Sequence, residues 1–204
     1  TLGGHDPYSG SKSCADLVAQ SYFHSFLQRT PTRVALTRAG NVIGGGDWAD
    51  DRIVPDCIRA WSNGKSVAVR SPQATRPWQH VLEPLSGYLW LGACLWHQPE
   101  GINGEAYNFG PDPQINQTVA ELIDAMAARW PGVKWQVPEG RERGGHEATL
   151  LKLACEKALA DLNWRAVLRF SETVEFTIDW YRAWFEGKHD IHAYTLGQIE
   201  RYCE

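Results

Sequence analysis

The sequence of 204 residues lacks an excess of charge of either sign. Twenty Lys and Arg residues are balanced by 24 Asp and Glu residues, and the formal net charge is −4. A nucleic-acid-binding protein needs a basic face to neutralise phosphates, so this composition argues against a nucleic-acid partner. The five cysteines lie far apart and form no Cys-x-x-Cys pair. We therefore expect neither a disulfide framework nor a zinc site, and we predict no metal ligands.

A leader sequence and long apolar runs are lacking as well. No charged-then-apolar leader and no apolar run long enough to cross a bilayer occurs, so we expect a soluble, cytoplasmic protein without a membrane partner. Hydrophobic residues still make up 43% of the chain, which is enough for one ordinary domain with a smaller subdomain attached. Ten tryptophans are many for this length. Most are expected in the core, and some in a groove or a subunit contact.

Helical and strand patterns alternate along the whole sequence. Apolar spacing and capping signals predict helices starting at residue 11 and over 54–62, 81–96, 118–131, 155–164, 171–186 and 195–202. A capping box marks the helix that begins at Thr118, because Glu121 follows three residues later. Ser171 is the predicted N-cap of the helix that runs to Glu186, and Gly187 is its predicted C-cap residue. β-branched and apolar runs predict strands at 33–38, 66–71, 105–110, 133–137 and 148–154. The order predicts a mixed α/β fold.

Tyr8 and Lys12 form the first candidate site. Four residues on a helix place both side chains on one face, one turn apart. An ammonium at that distance stabilises a phenolate, so the tyrosine can act as a base near neutrality. The same spacing occurs by chance in many helices, and the residues alone leave both interpretations open.

Three further segments carry polar or glycine-rich patterns. The glycines at 44–46 follow a predicted strand and indicate a structural or substrate-side loop, because their spacing is not that of a cofactor phosphate loop. Arg70 and Arg76 flank a predicted turn. Their guanidinium groups either bind a diphosphate or are simply a solvated pair on the surface. His146 and Glu147 end a glycine-rich loop, where they either anchor a sugar or base or are simply exposed.

Several longer segments resemble one family. They are "LGGHDPYSGSKSCADLV", "TRAGNVIGGGDWADDRIVPD", "RSPQATRPWQHVLEPLSGYLWL", "YNFGP", "GGHEATLLKL" and "YTLGQIERY". In this order they are similar to the nucleotide-sugar enzymes of the extended short-chain dehydrogenase/reductase superfamily, and most of all to CDP-glucose 4,6-dehydratases. The segments extend from residue 2 to residue 202, so the resemblance covers the whole chain.

The resemblance implies a fold in two parts. Residues 1–46 would be the trailing edge of a doubly wound, Rossmann-type NAD-binding sheet, with the Tyr/Lys helix and the strand after it. Residues 47–204 would mostly form a small mixed α/β domain that binds the nucleotide sugar, with some segments returning to the Rossmann part. Relatives often dimerise through the Tyr/Lys helix, so we expect a homo-oligomer.

The resemblance also implies a role for each matching residue. Tyr8 would take the proton from the sugar 4-hydroxyl, and Lys12 would stabilise the phenolate and bind the nicotinamide ribose. Arg76 would hold the diphosphate, with Arg70 beside it on the nucleotide. The remaining substrate-binding candidates are Asn41, Asp47, Trp48, Arg52, Asn108, His146 and Glu147.

Two motifs of such enzymes do not occur in the sequence. These are the glycine-rich fingerprint with its acidic ribose ligand and a Ser/Thr-Asp-Lys cluster ahead of the tyrosine. We therefore expect the chain to correspond to the C-terminal half to three-fifths of such an enzyme, and expect it alone neither to bind NAD tightly nor to convert CDP-glucose. The alternatives are a non-catalytic nucleotide-sugar binding or assembly module, and another NAD-dependent epimerase or decarboxylase.

Overall fold

The computed structural model describes residues 6–112, 116–138, 153–187 and 190–204. The helices within these ranges are α1 (Pro7–Tyr22), α2 (Ile53–Ser62), α3 (Leu82–His97), α4 (Val119–Ala128), α5 (Glu156–Leu162), α6 (Phe170–Glu186) and α7 (Ile191–Cys203), and a π-helical segment (Phe23–Leu27) continues α1. The strands are β1 (Leu36–Ala39), β2 (Asn41–Ile43), β3 (Val67–Ala68), β4 (Thr75–Arg76), β5 (Trp78–His80), β6 (Ala106–Phe109), β7 (Gln117–Thr118) and β8 (Trp135–Gln136).

The strands of the described ranges pair two by two, mostly in parallel. β1 lies parallel to β6, β2 to β5 and β3 to β8, whereas β4 and β7 are antiparallel. Helix α3 lies between β5 and β6 in the chain, so a helical crossover precedes the strand that pairs with β1, as parallel pairing requires. The α/β class with parallel pairing agrees with the prediction. The pairing of β1 with residues 106–109 also brings a late segment back to the first strand.

Local capping chemistry sets several helix ends where the sequence predicted them. Thr118 caps α4 and forms the predicted capping box with Glu121, whose carboxylate accepts the Thr118 N–H at 2.6 Å. Gly187 ends α6 in the left-handed conformation, with φ of 62°. The predicted cap at Ser171 is wrong by two residues. The helix is capped at Arg169, because the Glu172 carboxylate accepts the Arg169 backbone N–H at 2.7 Å.

Two hydrophobic clusters form the core. The larger lies between α2, α4 and α6 and includes Ile58, Ile123 and Ile178. The smaller surrounds Tyr107 and Phe109 of β6, against α3 and α5. Each cluster is built from one face of its helices, which is the packing that their apolar spacing predicts.

The glycine cluster is explained by close packing of the backbone. A Cβ added at Gly45 would lie 2.1 Å from Cγ of Trp180, and one at Gly44 would lie 2.9 Å from Cγ1 of Val81. Gly46 has a φ of +78°, which a larger residue rarely adopts. Gly45 and Gly46 therefore let the chain after β2 approach α6, and Gly44 lets it approach Val81 at the start of α3.

The apolar face of α1 is uncovered within the described residues, as we expect for a sequence that lacks the helix which covers it in relatives. Its spacing alone predicts a buried face, but none of the residues of α1 is buried. The side chains that remain exposed include Leu17, Val18, Tyr22 and Phe26. Phe23 is buried and lies over Gly104, where a Cβ would meet its Cε1 at 2.1 Å. Within the described part of the chain, nothing packs over the rest of this face.

A buried polar network joins α3 to the end of the chain. The Glu83 carboxylate accepts the backbone N–H groups of Val167 and Leu168 at 2.9 and 2.6 Å, and it accepts the Tyr202 hydroxyl at 2.9 Å. Burial raises the pKa of Glu83 in spite of these donors.

None of the described helices has the length and apolar character needed to span a bilayer.

Candidate functional site

A cleft of about 1450 Å³ opens between α1, strands β1 and β2, the loop before α2 and residues 67–71. Seven of the eleven sequence-predicted site residues line it. They are Tyr8, Lys12, Asn41, Asp47, Arg52, Arg70 and Arg76. The structure therefore brings residues up to 68 positions apart to one surface, and a concave surface with a few convergent polar groups is the usual form of a small-molecule site.

The Tyr8 and Lys12 side chains lie at the α1 side of the cleft. Asp6 caps this helix and accepts the Ser9 backbone N–H at 3.0 Å, which fixes the turn that carries Tyr8. The Lys12 ammonium lies 5.6 Å from the centre of the Tyr8 ring. The phenol is 70% exposed, so its hydroxyl is open to a ligand in the cleft.

An ion pair that the sequence did not reveal lies beside this pair. Asp16, two turns after Tyr8, accepts a hydrogen bond from Nε of Arg38 on β1 at 2.8 Å. Both residues line the cleft. The only sequence signal was the position of Asp16 on the same helical face as Tyr8 and Lys12.

The charge of the cleft is mixed. Arg52, Arg70 and Arg76 supply guanidinium groups from three different segments, and Nη1 of Arg76 donates to its neighbouring Thr75 carbonyl at 2.8 Å. Asp50 and Asp51 line the cleft on the loop before α2. One guanidinium group can donate two parallel hydrogen bonds to two oxygens of a phosphate, so the arginines provide a surface suited to a diphosphate.

Trp48 and Asn108 are turned to other partners. The Trp48 ring lies outside the cleft lining and packs against Tyr181 and Trp184, with centroids 5.3 and 5.9 Å away. The structure therefore does not bring the Trp48 ring together with the cleft residues, although Asp47 and Asp50 on either side of it in the loop line the cleft. The Asn108 amide donates to the Ala154 carbonyl at 2.9 Å and also lies outside the lining. His146 and Glu147 lie outside the described residues.

Comparison with known proteins shows what the chain as a whole is similar to. The chain is 42% identical over 206 residues to CDP-glucose 4,6-dehydratase from Salmonella typhimurium, covering 98% of this chain and 56% of that protein. The chain is a homologue of the nucleotide-sugar 4,6-dehydratases. This confirms the resemblance on which the residue roles depend.

A second dehydratase and a solved structure agree. The dTDP-glucose 4,6-dehydratase from Streptomyces antibioticus is 31% identical, over 89% of this chain and 51% of that protein. The dTDP-glucose 4,6-dehydratase from Bacillus anthracis, solved in complex with NAD, superposes with a TM-score of 0.65 at 22% identity, over 89% of this chain and 54% of that one. The Rossmann-type fold of the dehydratases is thereby confirmed.

The chain spans about half the length of the curated relatives that it matches. No protein-family model matches it.

Proposed function

We propose that this chain is the part of a CDP-glucose 4,6-dehydratase that holds the sugar nucleotide and the Tyr/Lys pair. The complete enzyme would convert CDP-glucose to CDP-4-keto-6-deoxyglucose. The observation that carries the proposal is the meeting of Tyr8 and Lys12 with Arg52, Arg70 and Arg76 in one cleft. A base and diphosphate-binding groups in one cleft suit an activated sugar.

The choice of cytidine is supported by similarity. Identity is 42% to the CDP-glucose enzyme and 31% to the dTDP-glucose enzyme over similar shares of the chain. An NAD-dependent epimerase or decarboxylase would use the same Tyr/Lys pair, and a mass measurement on the product separates them. Loss of water supports dehydration, whereas an unchanged mass supports epimerisation.

Each residue of the cleft has a part in the proposed chemistry. The Tyr8 phenolate, stabilised by the Lys12 ammonium, takes the proton of the sugar 4-hydroxyl and becomes a neutral phenol. The arginines neutralise and orient the diphosphate, which fixes the sugar relative to Tyr8. NAD, when bound, supplies the transient hydride acceptor for oxidation at C4.

The residues present fit one end of NAD. Tyr8 is exposed to the cleft and Lys12 lies one turn away, so both offer donors to the nicotinamide ribose. A glycine-rich phosphate loop of the Rossmann type does not occur in the 204-residue sequence. We therefore propose that this polypeptide by itself binds NAD weakly and does not convert CDP-glucose.

We further propose a cytoplasmic location for the protein. We also propose a division into a Rossmann-type part (1–46) and a sugar-nucleotide part (47–204), with residues 106–109 returning to the Rossmann-type part.

Calorimetric titration with CDP tests the binding proposal directly. Arg76→Ala should weaken CDP binding roughly tenfold or more, because a charge-assisted hydrogen bond to phosphate is lost. Arg182→Ala is the matched control, since Arg182 is exposed on α6 and pairs with Glu186 of the same helix. Absence of CDP binding to the unsubstituted chain, or equal binding by Arg76→Ala, would contradict the proposal.

A further inference from the structure

The loop of residues 47–51 forms one wall of the cleft without regular secondary structure. Asp47, Asp50 and Asp51 line the cleft, and Arg52 follows them at the start of α2. Asp51 has a φ of 59°, in the left-handed region that residues other than glycine rarely occupy. Such a conformation persists only where surrounding contacts hold the backbone. Two residues outside the cleft lining donate side-chain hydrogen bonds to the backbone carbonyls of this loop.

The first is Arg59, one and a half turns into α2. Its Nη1 donates to the Trp48 carbonyl at 2.9 Å, and its Nη2 donates to the Ala49 carbonyl at 3.1 Å. The same guanidinium pairs with Asp56 on its own helix and with Asp50 of the loop at 3.2 Å. A planar guanidinium can serve several acceptors in one plane, which an ammonium cannot do with the same geometry.

The second is Tyr181 on α6, whose side chain is fully buried. Its hydroxyl donates to the Asp47 carbonyl at 2.6 Å. Burial and the nearby Asp47 charge raise the pKa of Tyr181 to about 12, so the hydroxyl remains a donor at neutral pH. Trp48 packs over the same ring, with the centroids 5.3 Å apart.

We infer that Arg59 and Tyr181 are positioning residues that set the cleft wall by holding the three successive carbonyls of residues 47–49 from behind. Together they fix the backbone from which the loop carboxylates and the Arg52 guanidinium reach the cleft. This inference rests on the proposed function for the identity of the ligand, a cytidine diphosphate. The attachment of the loop itself does not depend on any ligand.

Hydrogen exchange measured by mass spectrometry tests the attachment without a ligand. In Arg59→Ala and in Tyr181→Phe, exchange in residues 46–52 should rise at least about threefold, while exchange in α4 stays unchanged. Arg182→Ala and Tyr202→Phe are the matched controls, since the latter also loses a hydroxyl hydrogen bond, but one made to Glu83 and Ser86. Arg59→Lys replaces Arg59→Ala if the alanine variant does not fold.

Coupling between substitutions tests the effect on the cleft. Arg59→Ala should weaken CDP binding about fivefold, and its effect should be less than multiplicative with Arg52→Ala, because both act through the same loop. Arg76 lies on strand β4, outside this loop. The losses of CDP affinity caused by Arg59→Ala and Arg76→Ala should therefore multiply in the double variant. If Arg59→Ala acted only by destabilising the whole fold, its coupling with Arg52→Ala and its coupling with Arg76→Ala would be the same.

The two experiments separate the possible failures. If the unsubstituted chain does not bind CDP, the proposed function fails, and the exchange data alone decide whether the loop is held as we infer. If residues 46–52 exchange equally in the variants, the controls and the unsubstituted chain, the inference is overturned. If CDP binds equally to the unsubstituted chain and to Arg59→Ala, the role in the cleft is overturned.

Discussion

The Asp16 carboxylate lies 2.8 Å from Nε of Arg38, and this ion pair connects the helix of Tyr8 and Lys12 to strand β1. The guanidinium also reaches Oδ1 of Asn108 on the neighbouring strand β6 at 3.5 Å. Since α1 buries none of its own residues, the pair has a large share in setting where Tyr8 enters the cleft.

Neutralising this carboxylate should loosen α1. We expect Asp16→Asn to lower the free energy of unfolding by about 0.5–1 kcal/mol, because solvent partly screens the pair. Amide exchange in α1 should rise at the same time. Urea denaturation and hydrogen exchange measure the two effects. Glu200→Gln, on the exposed face of α7, removes one negative charge elsewhere, and an equal loosening of α1 in that variant would contradict the assignment.

Two glycines should respond to alanine in opposite directions. Gly45→Ala should cost about 2 kcal/mol or more of unfolding free energy, because its Cβ would overlap the Trp180 ring. Gly92→Ala should instead add roughly 0.5–1 kcal/mol, since Gly92 lies in α3 with open space around it. Urea denaturation of both variants checks the pair, and a stability loss at Gly92 would contradict this description of α3.

The buried His80 should make stability depend on pH. Burial lowers the pKa of His80 from 6.5 to about 4, so the folded protein holds this ring neutral while the unfolded chain protonates it below about pH 6.5. The unfolded chain therefore binds more protons between pH 6.5 and 4, and stability should fall as pH falls through this window. The loss from this group is at most about 3 kcal/mol.

Comparison with His80→Gln isolates that contribution. Burial raises the pKa of Glu83, so this group alone makes the folded state more stable as the pH falls through the lower part of the window. That contribution is common to both proteins. The difference between their urea midpoints should therefore shrink as pH is lowered from 7 to 4.5. Parallel profiles would show that His80 does not titrate in this way.

The exposed face of α1 should drive self-association. Val18 is 62% exposed on the same face as Tyr22 and Phe26, and exposed apolar patches of this kind mark interaction sites. We expect the unsubstituted chain to associate at high concentration and Val18→Glu to remain monomeric in sedimentation velocity. Leu159→Glu is the control, because Leu159 is 50% exposed on the separate helix α5. A monodisperse monomer for the unsubstituted chain would contradict this prediction.

NAD should bind this polypeptide weakly. We expect a dissociation constant of about 1 mM or weaker, since the glycine-rich loop that binds the pyrophosphate and the acidic residue that binds a ribose do not occur in the 204-residue sequence. Calorimetry on the same sample that binds CDP makes the comparison. A micromolar constant for NAD would sink this expectation.

Helices were predictable because their signals are local. The capping box of Thr118 and Glu121 and the αL residue Gly187 act within four residues of the helix end, and both were found where predicted. The strands were harder to predict from the sequence. β2, β4, β5 and β7 have two or three residues each and exist through pairing with distant segments, as Asn41 does with Trp78, which no local pattern contains.

The same distinction separates the site residues. Tyr8 and Lys12 carry a spacing that a helix converts directly into proximity, and both line the cleft. Trp48 lies between cleft residues in the sequence but packs against α6, because an irregular loop has no period from which to infer direction. Arg59 and Tyr181 gave no signal, since their role depends on contacts up to 134 residues away.

The partners of Glu83 set an order on folding. A buried carboxylate needs its hydrogen-bond donors, and those of Glu83 come from residues 167, 168 and 202. The segment before α6 and helix α7 must therefore both reach α3 before the Glu83 carboxylate can leave water. This part of the molecule is thus closed late in folding, after contacts that span more than 80 positions of the sequence have formed.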